Sequence, residues 1–119
     1  MNVKIFNSRT GRDLANEARL AKNFFSRAVG LMGKKTIKKG EGLVLPKCNS
    51  VHSFFMNFNI DLVFVNENQV VITIIENLPK WRISPFIKDS AKAIELPTGT
   101  IKESGTMIGD LLIFEPRTI

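Results

Sequence analysis

Short apolar runs, separated by asparagine, glycine and proline, make up most of the chain from Gly42 onward. The runs are rich in β-branched side chains and end at turn-forming residues, which is typical of strands and not of helices. The pattern therefore predicts strands over residues 42–46, 60–65, 70–78 and 91–97, and a last strand within 109–115.

Three further segments complete the predicted fold. Residues 3–6 (VKIF) predict an opening strand, and the apolar positions within 19–35 have the spacing of one short helix. Residues 98–105 can hold one more helical turn. We therefore expect a single domain over residues 1–119 that is mainly β. It would be a compact antiparallel β-sandwich or a partly closed barrel with one or two short helices, or α+β if the helices are given weight.

Composition narrows the class of protein. The chain is 44% hydrophobic and 24% charged, and no stretch approaches the roughly 20 consecutive apolar residues of a membrane span. The first residues lack the apolar core of a secretory signal, and a single cysteine cannot form an internal disulfide. We therefore expect a soluble, basic, cytoplasmic protein that does not enter a membrane.

The segment 48–61 contains the only cysteine and the only histidine, Cys48 and His52. Apolar side chains alternate from His52 onward, which predicts a half-buried strand over 52–60 with a turn at 57–59. Together with 60–65 and 70–78 this strand would form a three-stranded meander.

An extended conformation would separate the reactive side chains of this segment. Four extended residues span roughly 13 Å, whereas zinc needs ligands at about 2.0 to 2.3 Å and a histidine must come within about 3 Å of a cysteine sulfur to activate it. Only a sharp bend at Asn49–Ser50 would bring Cys48 and His52 together. We therefore predict no metal, no cofactor and no catalytic residue. Cys48 is expected to be a small apolar side chain, and His52 a hydrogen-bonded side chain of the core or of a pocket rim.

Two other places carry notable polar side chains. Asp61 begins an otherwise apolar strand, and we expect its carboxylate to accept hydrogen bonds from backbone amides near the turn at 57–59. Trp81 and Arg82 are neighbours in a proline-bounded connection, where an aromatic ring beside a guanidinium can hold a planar or anionic ligand. A lone tryptophan also commonly plugs the end of a β core.

Several segments between residues 14 and 115 together resemble one family. They are GLMGKK, GEGLVLPKCNSVHSFFMNFNIDLVFVNENQVV, ENLPKWRISP and AKAIELPTGT. A Cys-x-Ser-Val-His segment, a Phe-Met pair and an Ile-Asp pair are similar to the bacterial and archaeal family known as domain of unknown function 192. The resemblance implies a compact, mostly β domain and carries no activity, substrate or cofactor. The polar positions that match the family pattern are Cys48, Asn49, Ser50, His52, Asp61, Trp81 and Glu95.

These features leave three functional hypotheses. The leading one is a noncatalytic binding or accessory domain with a shallow site around the Cys48–His52 segment and the Trp81 loop, which would take a small ligand or a protein partner. Its predicted residues are Cys48, Asn49, Ser50, His52, Asp61, Trp81 and Arg82.

The first alternative is a hydrolase-like enzyme that uses His52 with Asp61 or Cys48. The second is binding of an anion or a nucleic acid through the lysine-rich loop Lys34–Lys39. Nucleic acid is the less favoured ligand for that loop because no aromatic residues are interleaved with its lysines.

Overall fold

The computed structural model describes residues 2–21, 36–54 and 56–117. Seven strands and one short helix lie within these residues, so the fold is mainly β, as predicted. Their bounds are β1 (Asn2–Asn7), β2 (Asp13–Leu20), β3 (Glu41–Pro46), β4 (Ile60–Val65), β5 (Val71–Leu78), β6 (Lys92–Pro97), α1 (Thr100–Ser104) and β7 (Leu112–Arg117). The helix predicted within 19–35 falls mainly on residues outside the described ones, and its first two positions, Arg19 and Leu20, belong to β2.

The seven strands form one curled sheet in the order β5-β4-β6-β3-β2-β1-β7. Every neighbouring pair is antiparallel except β2 and β3, which run parallel. A parallel pair is possible there because the connection between Leu20 and Glu41 is long enough to return the chain to the same end of the sheet. The two edge strands approach each other at one end, where Val70 and Leu111 form an isolated bridge, but the sheet does not close into a barrel.

Each face of the sheet buries an apolar cluster. Side chains from all seven strands meet on the concave face, and this inner core includes Val3, Ile5, Ala18, Val44, Val63, Val71, Ile94, Leu96 and Leu112. The outer core lies on the opposite face, where β3, β4 and β6 are covered by the segment that follows β3. It includes Leu43, Leu45, Cys48, Val51, Met56, Leu62, Phe64 and Ala93. Because β4 is covered on both faces, every one of its six residues is buried.

Most of the predicted strands are confirmed. Residues 3–6, 42–46, 60–65, 70–78 and 91–97 lie in or overlap β1, β3, β4, β5 and β6, and the final strand and the helical turn are β7 and α1. The strand β2 was not predicted, because its buried side chains are small apart from Leu14 and its pairing with β1 contains two register shifts. Alternation is the signal that identifies a strand, and these irregularities break it.

The predicted strand over 52–60 is wrong, and so is the meander that depended on it. The described residues of the segment 47–59 (47–54 and 56–59) contain no strand apart from a single bridge between His52 and Ile83, and β4 pairs with β5 and β6 instead. Since β3 and β4 are both antiparallel to β6, they run in the same direction, and the chain between them must cross the sheet. The buried residues Cys48, Val51 and Met56 pack on the outer face as the chain crosses it.

Candidate functional site

Two long loops cross the same face of the sheet side by side. The cysteine loop (residues 47–59) joins β3 to β4, and the tryptophan loop (residues 79–91) joins β5 to β6. Their ends are neighbours because Pro46 pairs with Lys92 and Ile60 pairs with Leu78. Six of the seven predicted site residues lie on these loops, and Asp61 lies on β4 just beyond the cysteine loop.

A short antiparallel ladder of backbone hydrogen bonds joins the two loops. The Ser53 N–H donates to the Arg82 carbonyl at 2.7 Å, and the Ser84 N–H donates to the Val51 carbonyl at 2.7 Å. These two bonds flank the bridge between His52 and Ile83. The loops therefore support each other as a pair of short strands would.

Buried serine hydroxyls reinforce this ladder. Ser53 is fully buried, and its Oγ donates to the Pro79 carbonyl at 2.6 Å and accepts the Arg82 N–H at 2.9 Å. Ser84 Oγ accepts the Val51 N–H at 2.9 Å. Each hydroxyl bonds to backbone groups of the opposite loop, so the two loops are fixed relative to each other.

Asn49 and Ser50 perform the same task at the other end of the loops. The side-chain amide of Asn49 donates to the Ile87 carbonyl at 2.9 Å, and the Ile87 N–H donates back to the Asn49 carbonyl at 2.7 Å. Ser50 Oγ donates to the Ser84 carbonyl at 3.0 Å. The side-chain NH₂ of Asn49 and the hydroxyl of Ser50 are therefore both bonded within the protein.

The chain bends at Asn49, but the bend does not join Cys48 to His52. Cys48 is buried in the outer core, where its thiol donates to the Ser50 carbonyl at 3.0 Å. His52 is exposed, its ring stacks on Phe54 with 5.1 Å between the ring centres, and its Nδ1 accepts the Phe54 N–H at 3.2 Å. His52 is thus a surface side chain and not a core histidine.

Asp61 binds backbone amides, although not those of a turn at 57–59. Its Oδ1 accepts the Asn77 N–H of β5 at 2.8 Å, and its Oδ2 accepts the Ile101 N–H of α1 at 3.0 Å. Within the part of the chain that the structure describes, no hydrogen bond joins any two of Asp61, Cys48 and His52. This geometry provides neither of the catalytic pairs of the hydrolase hypothesis.

An exposed apolar patch lies on the paired loops. Its members are His52, Phe54, Trp81, Ile83 and Phe86, and we call it the aromatic surface. The ring centres of Phe54 and Trp81 are 6.1 Å apart, and Trp81, Ile83 and Phe86 expose 53%, 64% and 73% of their surface. Single exposed apolar side chains are common, whereas a group of them on loops fixed by hydrogen bonds is a candidate interaction surface.

Three members of this surface, Phe54, Ile83 and Phe86, are not among the residues predicted from the sequence. A usable signal was present, because Ile83 and Phe86 lie within two residues of Pro85, in a connection that is unsuited to a sheet. Phe54 gave no such signal, since it follows the alternation that predicted a strand.

Trp81 has an unusual backbone conformation. Its φ is 61°, in the left-handed region that costs a residue with a side chain about 1 to 2 kcal/mol. The Trp81 N–H donates to the Ser53 carbonyl at 3.0 Å, and the next amide, that of Arg82, donates to Ser53 Oγ. The cysteine loop therefore holds this bulky residue in a conformation that it would otherwise avoid.

Positive charge surrounds the aromatic surface. Lys80, Arg82 and Lys88 are exposed on the tryptophan loop, and no ion pair with them occurs among the described residues. Asp89 is the single acidic residue in the sequences of the two loops. The loops consequently present a basic surface.

A buried carboxyl group lies in the outer face of the sheet. Glu95 of β6 is only 4% exposed and stands in register between Leu43 and Leu62. Its Oε2 has no hydrogen-bond partner among the described residues. Burial raises the pKa of Glu95 to about 8, while the charge of Arg19 acts in the opposite direction. The carboxyl is therefore mainly protonated at neutral pH.

Two other candidate sites lie away from the aromatic surface, and the first borders the last residues of the tryptophan loop, Asp89, Ser90 and Ala91. A depression of about 350 Å³ adjoins the β4–β5 turn, and one of about 320 Å³ lies between β2 and α1. Lys39, from the predicted anion-binding loop, borders the second and forms an ion pair with Glu103 at 3.0 Å. Lys34 and Lys35 of that loop fall outside the described residues.

The described residues contain neither a metal-ligand cluster nor a helix that could span a membrane. Across 2–21, 36–54 and 56–117, no group of three or more histidine, cysteine, aspartate or glutamate side chains is placed to hold a metal ion. No helix in the same ranges has the length and apolar character needed to cross a membrane.

The sequence is similar to uncharacterised archaeal proteins. A UPF0127 protein of Pyrococcus furiosus is 33% identical over 112 residues, which cover 91% of this chain and 95% of that protein. A UPF0127 protein of Thermococcus kodakarensis is 31% identical over 116 residues, or 94% of this chain and 73% of the relative. These relatives carry no named activity.

Two solved structures share the fold. A Novosphingobium aromaticivorans protein of unknown function superimposes with a TM-score of 0.81 at 19% identity, over 95% of this chain and 84% of that one. A Sinorhizobium meliloti protein described as a "putative transcription regulator" gives a TM-score of 0.77 at 24% identity, over 95% and 92%. At these identities the likeness establishes the fold alone. The family profile of domain of unknown function 192 (DUF192), described as "Uncharacterized ACR", matches residues 5–114, and the chain therefore belongs to this family of unknown function.

Proposed function

We propose that this protein is a noncatalytic binding domain and that the aromatic surface is its binding site. Of the residues predicted from sequence, His52 and Trp81 belong to this surface and Arg82 lies on its edge. The remaining four have a supporting role, because they hold the loops or the sheet. They are Cys48, Asn49, Ser50 and Asp61.

The conformation of Trp81 is the observation that carries the proposal. A left-handed residue that serves only the fold is best filled by glycine, which adopts a positive φ without steric cost. This position instead has the largest side chain available, and half of that side chain is exposed. Strained residues that the surrounding structure holds in place are concentrated at functional sites. We therefore assign the exposed ring to ligand binding.

Replacement of Trp81 by glycine separates binding from stability. We expect Trp81→Gly to leave the free energy of unfolding unchanged or to raise it by up to about 1 kcal/mol, because glycine relieves the strain. The same variant should lose its ligands. The measurement is ligand-detected NMR with a library of small aromatic and aliphatic fragments, combined with urea unfolding of each variant.

Ile108→Ser is the matched control. Ile108 is 65% exposed, in the turn before β7 and outside the paired loops, so this change removes an equally exposed apolar side chain. Fragments that bind the wild type and Ile108→Ser but not Trp81→Gly would support the aromatic surface. If fragments bind Trp81→Gly as well as they bind the wild type, or bind nothing, the proposal is wrong.

We also propose that the protein works in the cytoplasm. The single cysteine supports this compartment, because its thiol is buried in the outer core and forms no disulfide. Proteins of oxidising compartments commonly carry paired cysteines. Fractionation of cells that produce the protein, followed by immunodetection, tests the assignment.

A further inference from the structure

We infer that the aromatic surface binds an extended, acidic segment of a partner protein, anchored by an apolar side chain. This inference rests on the proposed function and specifies the class of ligand. Three observations lead to it, namely the charges around the surface, the free backbone groups at Ile83 and the arrangement of the rings.

The charges favour an acidic partner. Lys80 and Arg82 lie on either side of Trp81, and Lys88 follows Phe86 by two residues. All three cations are exposed and have no ion pair among the described residues. A partner that places an apolar side chain against the rings would bring its neighbouring side chains close to these cations. Carboxylates at those positions would give electrostatic complementarity.

The backbone of the tryptophan loop favours an extended partner. In the bridge between His52 and Ile83 the hydrogen bonds are made by the flanking residues, so the N–H and C=O of Ile83 point away from the cysteine loop. No described residue forms a hydrogen bond with either group. An extended peptide can pair with such an edge, and its side chains then meet the adjacent surface.

The rings favour a peptide over a single-stranded nucleic acid. Nucleic-acid platforms offer free aromatic faces on which successive bases stack. Here one face of the Phe54 ring is already stacked against His52, at an interplanar angle of 27°, and Trp81 is tilted against Phe54 by 34°. Ile83 adds an aliphatic side chain to the same surface. Such a mixed surface suits leucine, phenylalanine or similar side chains.

Matched peptide pools provide the test. The acidic pool has a central leucine or phenylalanine flanked by aspartate and glutamate, and the neutral pool has asparagine and glutamine in the same places. A third pool repeats the acidic pool with an N-methylated central residue, which removes one backbone donor. Binding to the full chain is measured by fluorescence anisotropy at low and at high salt, with a thymidine oligonucleotide as a fourth probe.

We expect the acidic pool to bind at least about tenfold more tightly than the neutral pool at low salt, with the difference falling as salt is added. N-methylation should weaken binding by a similar factor. Arg82→Glu and Lys88→Glu should each reduce binding of the acidic pool. Lys102→Glu is the matched control, because Lys102 is an exposed lysine on α1. This control should leave binding unchanged.

The outcomes distinguish the two levels of the proposal. If both peptide pools bind equally and Trp81→Gly abolishes both, the acidic preference is wrong and the binding surface stands. If neither pool binds while fragments still do, the peptide class is wrong and the surface again stands. If the oligonucleotide binds more tightly than the acidic pool in an Arg82-dependent way, the ligand is a nucleic acid. If Trp81→Gly has no effect on any probe, the proposed function itself fails.

Discussion

Buried polar side chains in this protein differ in whether the fold supplies them with partners. Ser53 and Asp61 are both buried, and each makes hydrogen bonds to backbone groups of other segments. Glu95 is also buried, but its Oε2 lacks a partner among the described residues. A carboxylate in such a place loses its hydration, and the charge of Arg19 compensates only part of that loss. The fold therefore retains Glu95 as the neutral acid. As a result, the stability of the folded protein depends on pH.

The pH dependence has a definite sign. Because the pKa of Glu95 is about 8 in the folded protein and close to its ordinary 4.5 in the unfolded chain, the folded state binds more protons between these values. The contribution of Glu95 to stability is complete below about pH 4.5 and is lost as the pH rises toward 8. We expect Glu95→Gln to remove this loss, which is on the order of a few kcal/mol. Urea unfolding of both proteins at pH 5 and pH 8 measures it.

A surface carboxylate supplies the control for that experiment. Glu76 is exposed on β5, and Glu76→Gln should leave the difference between pH 5 and pH 8 as it is in the wild type. An equal pH dependence in the wild type and Glu95→Gln would show that the buried carboxyl does not retain its proton.

At the scale of elements, the sequence is sufficient to predict the regular strands but not the conformation of the loops. β4 and β5 are predicted correctly because uninterrupted apolar and β-branched runs are sufficient to identify them. The segment 52–60 alternates just as convincingly but forms a crossover loop, in which buried Met56 covers the outer face of the sheet. Alternation of apolar and polar residues indicates which side chains are buried. It does not distinguish a strand from a loop that packs on a sheet.

For the candidate site, the sequence predicts a set of residues but not their contacts. The hydrogen bonds that join Asn49 and Ser50 to the tryptophan loop connect residues more than 30 positions apart, so no local pattern predicts them. Such long-range pairs depend on the crossover topology, which a single sequence does not contain. The left-handed backbone of Trp81 was equally hidden, since tryptophan disfavours that conformation.

Asp61 links three elements, and its replacement tests how closely they depend on one another. In Asp61→Asn one carboxylate oxygen becomes an NH₂ group, which must face the N–H of either Asn77 or Ile101. We expect a loss of about 2 kcal/mol, the usual cost of a broken buried hydrogen bond to a charged group. Amide hydrogen exchange should show reduced protection at Ile101 and Asn77 in particular.

Asp13→Asn is the matched control for that substitution. Asp13 is an exposed aspartate whose nearest cation, Lys4, is 3.9 Å away, and exposed pairs of this kind contribute little. If Asp61→Asn destabilises no more than Asp13→Asn, then Asp61 does not tie α1 to the sheet.

On the scale of the whole molecule, one turn connects the two edges of the sheet. The Asp110 carbonyl accepts the Val71 N–H at 2.8 Å, and the Gly109 N–H donates to the Val71 carbonyl at 2.8 Å, so the start of β5 is held against the start of β7. The Asp110 carboxylate fixes this turn from the other side, because it accepts hydrogen bonds from Arg9 at 2.7 Å and from Asn7 at 2.9 Å. The Asp110 carboxylate therefore supports the turn through which the two edges of the sheet meet.

This role of Asp110 predicts how the fold responds to acid. The hydrogen bond from Arg9 holds the pKa of Asp110 well below its ordinary 3.8; Asn7 and the Met107 N–H act in the same direction, and burial acts against them. The stabilisation is complete above the unfolded pKa and is lost as the pH falls below about 3.8.

We expect Asp110→Asn to lower Tm at pH 7, and the difference in Tm from the wild type to narrow between pH 4 and pH 2. Asp89→Asn, at an exposed aspartate, should change Tm little at either pH. If the difference in Tm between the wild type and Asp110→Asn stays constant down to pH 2, the negative charge of Asp110 does not contribute to the stabilisation.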